Sequence, residues 1–304
     1  MIFHDFGMDT ASLAGSLESK LAAIRAAGFA QTMISAADIV GHPGGTGAGV
    51  RAVRASGLAV TGLEVLRDFE GVAGALAAYK VDVAKSMLEV CGALGGRLLV
   101  VEASTSPHAN RDPDVIARDL RKLAVLAIPL GIRIAYKGLP WSRTVQDFRA
   151  AGDLAFRVNS PNLGVAVDAF DVLAGLVPEE DLDVLDPEQV FLVQLSDFLW
   201  QGLATPEERT ATATHFRVFP GEGAHSEALA RVVARLDANG YYGNYTFDVY
   251  NDDFLQMPPE TVAARARRAA VWLAETVLRR ALPVPNIERL SGSASPPVPT
   301  GARS

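Results

Sequence analysis

The chain has 304 residues, of which 49% are hydrophobic and 21% charged, so it can bury one large core or two small ones and falls outside disordered and collagen-like compositions. Its net charge of -7, with arginines scattered among acidic residues, leaves no basic stripe for nucleic acid, and a small molecule is the expected partner. One cysteine, Cys91, set in an apolar helical run, rules out a disulfide framework or a clustered thiolate site.

Taken in chain order, the N-terminal MIFHDFGMDT carries neither a basic leader nor a long apolar run. No later stretch approaches ~18 uninterrupted apolar residues. A soluble cytoplasmic protein with no membrane partner is expected. From there one local pattern repeats: an amphipathic helix ends at glycine and a short apolar strand follows at once. It reads AAGFAQTMI, ASGLAVTGL, LGGRLLVVEA, PLGIRIAYK and ANGYYGNYTFDV, with the glycines at Gly28, Gly57, Gly95, Gly131 and Gly240. Glycine just past a helix supplies a left-handed conformation that a Cβ disfavours. The helices carry matching signals. Leu17, Leu21 and Ile24 follow Ser16 as N-cap, and Ile116, Leu120, Leu123 and Ala127 follow Asp112-Pro113, each set at helical spacing.

Strands are expected near residues 1–6, 29–35, 58–65, 97–103, 132–137, 163–168, 190–196 and 244–249. RLLVV and FLVQL are apolar on both faces, as parallel strands covered by helices must be. Eight strands alternating with helices over about 280 residues predict a single (β/α)8 barrel, an α/β fold. The domain is expected to span 1–284, with the Pro-, Ser- and Gly-rich 285–304 as a disordered tail. A doubly wound open sheet would carry a Gly-rich phosphate turn after its first strand. The turn here reads FGMDTASLAG, so no nucleotide cofactor is expected. GHPGGTGAG, Gly41 to Gly49, also fails the dinucleotide spacing and reads as a flexible loop. The last helix, ETVAARARRAAVWLAETVLRRA, puts arginines on one face and apolar residues on the other; it coats the barrel first, and a homo-oligomer interface is its second reading.

In a barrel the cavity lies at the C-terminal ends of the strands. The polar residues expected there are His4 and Asp5, Glu64 with Arg67, Glu102, Lys137, Asp168, Gln194 and Asp248. Asp168, Gln194 and Asp248 form an oxygen-rich set suited to Mg2+ or Mn2+. Lys137, in RIAYKGLPWSR, is a cation where that strand should open into the cavity. Tyr136 and Trp141 flank it, one as a pocket wall and the other as strand–helix packing. His108 and His215 sit in segments that can face the cavity or solvent equally well.

The segments SLAGSLESKLAAIRAAGF, LRDFEG, STSP, RIAY with LPWSR, VAVDAFDVL, FLVQLSD, HFRVFPGEG and DVYNDDF together resemble bacterial 3-dehydroshikimate dehydratases of the xylose-isomerase-like superfamily of sugar phosphate isomerases and epimerases. The resemblance runs in order from about residue 12 to 254. It implies a divalent ion (Mg2+, Mn2+, Co2+ or Zn2+) held by an acid on strand five, an aspartate on strand six, Gln or His on strand seven and a glutamate on strand eight. Those positions here are Lys137, Asp168, Gln194 and Asp248. It also implies a proton-transfer histidine three residues after the tryptophan matching Trp141, where this chain has Thr144. Arg67 and Arg217 are retained and suit a substrate carboxylate or hydroxyl cluster. Lys137, Arg67 and Arg217 are therefore the expected catalytic residues, and Glu64, Trp141, Arg143 and His215 the expected substrate contacts.

Counting only Asp168, Asp248 and Lys137, the charge left over is the minus one that the resemblance implies for three carboxylates around a divalent ion. Lysine then stands in for the ion. Both together are disfavoured: a unit charge ~4 Å from another costs about 4 kcal/mol at an effective dielectric of 20, and roughly twice that against a divalent ion. Three readings follow. One is a lyase or isomerase acting on a small cyclic polyhydroxy ketone or sugar-like acid, with a neutral Lys137 forming an imine. Another is a metal-dependent sugar isomerase or epimerase with Lys137 swung aside. The third is a catalytically silent small-molecule-binding relative in which Lys137 fills the ion's place.

Overall fold

The structure, a computed structural model, describes residues 3–280; the expected tail lies outside them. Its elements are β1 (Phe3–Asp9), α1 (Leu17–Ala26), β2 (Phe29–Ser35), α2 (Ala36–Val40), α3 (Thr46–Ala55), β3 (Ala59–Arg67), α4 (Gly74–Leu94), β4 (Leu98–Glu102), α5 (Pro113–Ala127), β5 (Arg133–Lys137), α6 (Phe148–Val158), β6 (Leu163–Asp168), α7 (Ala169–Ala174), β7 (Val190–Leu195), α8 (Pro206–His215), α9 (Ser226–Ala238), β8 (Tyr245–Phe247) and α10 (Pro259–Trp272). The strands pair in parallel in sequence order, and β8 closes on β1. This is a (β/α)8 barrel with helices outside. Among the described residues no helix is long and apolar enough to cross a membrane.

Local chemistry accounts for the element ends. Ser16 Oγ accepts from the Ser19 amide at the start of α1, and Asp112 caps α5 ahead of Pro113. Asp147 caps α6 through the Arg149 and Ala150 amides, and Thr205 forms a reciprocal capping box with Glu208 on α8. Each satisfies amides that a helix start leaves without partners. The five glycines of the repeating pattern all have positive φ. The glycine-rich run after β2 is a correction: only its first part is loop, and Thr46 onward is helical, because the turn needs only Gly45, at φ 79, before α3 can start.

Period-two alternation along the strands builds the interior in two tiers. The lower tier is apolar or small: Met33, Leu98, Val100, Ala135, Ala166 and Leu192 pack together inside the barrel. The outward-facing Leu99, Val101, Ile134, Tyr136, Val165, Val167 and Val193 join the larger core beneath the helices. Two residues beyond an interior position, four of the strands carry a polar side chain at or next to their ends. Val100 leads to Glu102, Ala135 to Lys137, Ala166 to Asp168 and Leu192 to Gln194. Register then aligns these ends, with Glu102 opposite Lys137 and Asp168 opposite Gln194. The polar tier is thus the top layer of the same stack of side chains that forms the barrel's core.

Gly62, beneath Glu64 on β3, sits so close to β4 that a Cβ would lie 2.4 Å from the Leu98 carbonyl oxygen. Backbone on both sides cannot yield easily. Gly62→Ala should therefore destabilise the fold by about 1–3 kcal/mol, the usual range for overpacking; thermal unfolding reads the change, and an unchanged midpoint would show that β3 and β4 can separate at no cost.

Candidate active site

Lys137 is 2% exposed, and its ammonium lies 3.2 Å from Glu102 Oε1, 3.4 Å from Asp168 Oδ2 and 3.9 Å from Asp248 Oδ2. It also donates to Gln194 Oε1 at 3.0 Å. Burial by itself would lower the lysine pKa, but the three carboxylates outweigh it and hold the ammonium above its ordinary range. A second buried cation joins the same acids. Arg217, 3% exposed, places Nη1 2.9 Å from Asp168 Oδ2 and 3.3 Å from Asp248 Oδ2. Its guanidinium lies 4.3 Å from the centre of the Phe170 ring, a cation–π contact that shields the charge from water.

The acids respond differently according to which cations they touch. Burial pushes Asp168 up, yet Arg217 and then Lys137 outweigh it and hold its carboxyl below the usual range. Glu102 behaves alike, with Lys137 and Arg67 overcoming burial; Arg67 Nε donates to Glu102 Oε2 at 2.7 Å. Asp248 is raised, because its contacts with Arg217 and Lys137 do not compensate burial. Beside it stand two further buried acids. Gln194 Nε2 donates to Asp9 Oδ2 at 3.3 Å and to Glu64 Oε2 at 3.1 Å. Burial and mutual repulsion raise Asp9 well above its ordinary value, and burial followed by Asp248 pushes Glu64 up to about 8. Asp171, one turn into α7, is raised by burial and by Asp168.

Above this layer opens a cavity of about 490 Å3, lined among others by Arg67, Glu102, Trp141, Thr214, Arg217 and Tyr250. Lys137, Asp168, Gln194 and Asp248 come together at one end of the barrel, beneath it. Four expectations need correcting. His4 and Asp5 lie low on β1, where Asp5 pairs with Arg280; the strand runs on to Asp9, because its DFGMD stretch is extended rather than a turn. His215 is the last residue of α8, exposed and paired with Asp252 at 3.1 Å. Arg143 is exposed and Glu64 buried, and neither lines the cavity. The count behind the remainder of minus one also left out most of the groups that share the layer. Six buried or half-buried carboxyls (Asp9, Glu64, Glu102, Asp168, Asp171, Asp248) face Lys137, Arg217 and the more exposed Arg67.

Tyr136 is a core residue whose hydroxyl donates to Glu70 at 2.9 Å; Trp141 forms part of the wall. His108 is exposed. Sequence reasoning missed Asp9, Asp171 and Tyr250. Asp171 had a signal, an acid three residues after Asp168 inside the apolar run VAVDAFDVL; Tyr250, just past β8, had none.

The ion position that the resemblance implies does not suit an ion here. Its strand-five ligand is an ammonium held charged, and Asp168 Oδ2 is already shared by Lys137 and Arg217. A bound divalent ion would meet the repulsion estimated above. The same carboxylates disfavour the free amine that an imine requires.

Comparison with known proteins agrees with the geometry at the level of family. The family model described as xylose isomerase-like TIM barrel matches residues 21–276. The chain is 33% identical over 267 residues to a 3-dehydroshikimate dehydratase of Pseudomonas aeruginosa, covering 88% of this chain and 41% of that protein. An inosose isomerase of Bacillus licheniformis is 26% identical over 62% of this chain and 66% of its own length. Among solved structures, a xylose isomerase-like TIM barrel/4-hydroxyphenylpyruvate dioxygenase fusion protein superimposes with a TM-score of 0.83 at 29% identity, covering 97% of this chain and 45% of that one. The IOLI protein with a bound zinc atom gives 0.76 at 19% identity, over 90% and 99% of the two chains, a likeness of fold. The chain spans about two fifths of the length of the Pseudomonas dehydratases it matches.

The titration of Glu64 sets a pH dependence. Its carboxyl moves from 4.5 to about 8 on folding, so between those values the folded state holds the extra proton and stability falls as pH rises. With chelator present, the unfolding free energy should decline across that window, and Glu64→Gln should flatten the decline; a wild-type profile that rises instead would contradict the burial assigned to Glu64.

Proposed function

Because the chain belongs to the xylose isomerase-like TIM barrel family, we propose that it is an enzyme of lyase or isomerase type acting on a small cyclic polyhydroxy ketone or sugar-like acid, with Lys137 as the fixed cation of its active site in place of a metal ion. The observation that carries this reading is the Lys137 ammonium within 4 Å of Glu102, Asp168 and Asp248. It stands where the resemblance expects an acidic ligand of the ion, and its charge opposes a cation placed beside it.

The roles follow from what faces the cavity. Arg67 and Arg217 are its lining cations, suited to a carboxylate or to vicinal hydroxyls. Trp141 supplies an apolar wall against a ring face. Glu102 is the carboxylate that touches both the cavity and Lys137, and it acts as the base that takes a proton from the carbon next to the ketone. Its pairing with Arg67 and Lys137 keeps it ionised. When a substrate carboxylate draws Arg67 away, Glu102 loses one of the two charges that weaken its basicity, so binding itself activates the base. Lys137 lies below the cavity wall and is a positioning residue: it orients Glu102 and keeps the acid layer from repelling an anionic intermediate. With Thr144 where the resemblance expects a histidine, elimination lacks its second proton carrier, and turnover of 3-dehydroshikimate should be weak beside that of the family's dehydratases.

Proton abstraction can be followed without knowing the final product. Incubation in D2O with 3-dehydroshikimate, an inosose and a ketose should place deuterium next to the carbonyl of at least one of them, read by NMR. Glu102→Gln should slow that exchange about 10²- to 10⁴-fold, the usual worth of a general base. Lys137→Met should lower kcat, leave KM within a few-fold and shift the acid limb of the pH–rate profile upward, because Glu102 then protonates more readily. Exchange unaffected by both substitutions would remove the basis of the proposal, and so would no exchange with any ketone. A binding protein without chemistry would still give saturable shifts of the Trp141 resonance with one of these ligands.

A further inference from the structure

Beside the paired cations, β1, β3 and β8 bring together three carboxylates of which only Asp248 touches a cation, through its Oδ2. Asp9 on β1, Glu64 on β3 and Asp248 after β8 are 0%, 4% and 1% exposed, and one oxygen from each lies within 4.8 Å of the others. Gln194 satisfies Asp9 Oδ2 and Glu64 Oε2 through its Nε2, and Asp248 Oδ2 is taken by Arg217 and Lys137. What is left over on each residue is its second oxygen: Asp9 Oδ1, Glu64 Oε1 and Asp248 Oδ1 are all buried and have no hydrogen-bond partner. Buried carboxylate oxygens without a donor carry a large desolvation cost.

The way Gln194 is held makes this arrangement deliberate. Its carbonyl oxygen must face the Lys137 ammonium, which has only protons to offer. The amide nitrogen is therefore turned toward Asp9 and Glu64. Reversal would set an amide N–H₂ against the ammonium. The glutamine so divides the layer into a half supplied with cations and a half supplied with bare oxygens.

We propose that Asp9, Glu64 and Asp248 form a cation site of their own, displaced round the barrel from the position the resemblance implies, that takes a hard divalent ion such as Mn2+ or Mg2+ through their three unpartnered oxygens. Hard oxygen donors without nitrogen or sulfur suit these ions above Zn2+ or Cu2+. Two positive charges there reduce the surplus of acid that Lys137, Arg217 and Arg67 leave uncompensated. Asp248 joins the two halves, with one oxygen on the cations and the other on the ion site. The inference goes beyond the role given to Lys137 and does not depend on it, since none of the three ligands lines the cavity.

The test uses the purified chain stripped with chelator and titrated with Mn2+, followed by electron paramagnetic resonance of the free ion and by thermal unfolding. One Mn2+ should bind per chain, with the unfolding midpoint rising by several degrees at about 100-fold excess over Kd. Glu64→Gln and, independently, Asp9→Asn should each weaken binding at least tenfold, whereas Lys137→Met, which removes a nearby positive charge, should tighten it. Folding of each variant is checked by circular dichroism, and the two acid variants serve as substitutes for each other if one does not fold. Absence of Mn2+ binding, together with a chelator-insensitive rise in midpoint for Glu64→Gln, would mean that protons alone relieve the acids and would overturn the site. Binding left unaltered by both acid variants would overturn it as well, by placing the ion elsewhere. Neither result bears on deuterium exchange by Glu102, so the two proposals fail separately.

Discussion

The arrangement of the upper barrel depends on two cations sharing one aspartate. Asp168 Oδ2 receives both Lys137 at 3.4 Å and Arg217 at 2.9 Å, and from this point the pairing spreads to Glu102 on one flank and Asp248 on the other. A lone buried ammonium would shed its proton, and a lone buried carboxylate would take one up. Held together they stay charged, because each makes the other's ionised form the cheaper one. The interaction is better understood as fixing geometry than as adding stability, since buried ion pairs often do no better than apolar residues of the same volume.

That constraint also orders what surrounds it. Lys137 sets the orientation of the Gln194 amide, the amide sets which oxygens of Asp9 and Glu64 are satisfied, and Arg217 draws Phe170 over its guanidinium. A charged group at the end of β5 thus determines the hydrogen-bonding state of side chains on β1 and β3, across the barrel. The walls of the cavity above are less enclosed: Arg67 is largely exposed and Tyr250 and Trp141 half-buried.

The barrel was legible because each of its units announces itself locally, through a capped amphipathic helix, a glycine in the left-handed region and a strand apolar on both faces. Seven of the eight strand ends were found within two residues of their place, and those ends carry the site. β1 was misread for a physical reason: Gly7 interrupts its apolar run, where the missing side chain leaves room for Gln31 beside it, and in sequence a glycine amid DFGMDT resembles a turn. Asp9 was lost with it. The extent of the acid layer was not legible at all, because charge balance in a closed barrel depends on how far round the ring each side chain reaches, and no single segment encodes that. His215 and Arg143 were drawn in by proximity in sequence to Arg217 and Trp141, yet one ends a helix pointing to solvent and the other sits on an exposed turn.

The two-tier interior has a consequence for how such a chain can change. From β4 to β7 each strand sends one residue into the polar layer, two positions after one that belongs to the apolar layer, and backbone pairing is indifferent to which side chain stands at the end. An exchange at a strand terminus, such as lysine for an acid on β5, leaves the tier below it and the register untouched. Chemistry in this architecture can therefore change one strand end at a time, with the cost of each exchange falling on the charges of the polar layer and not on the pairing of the strands.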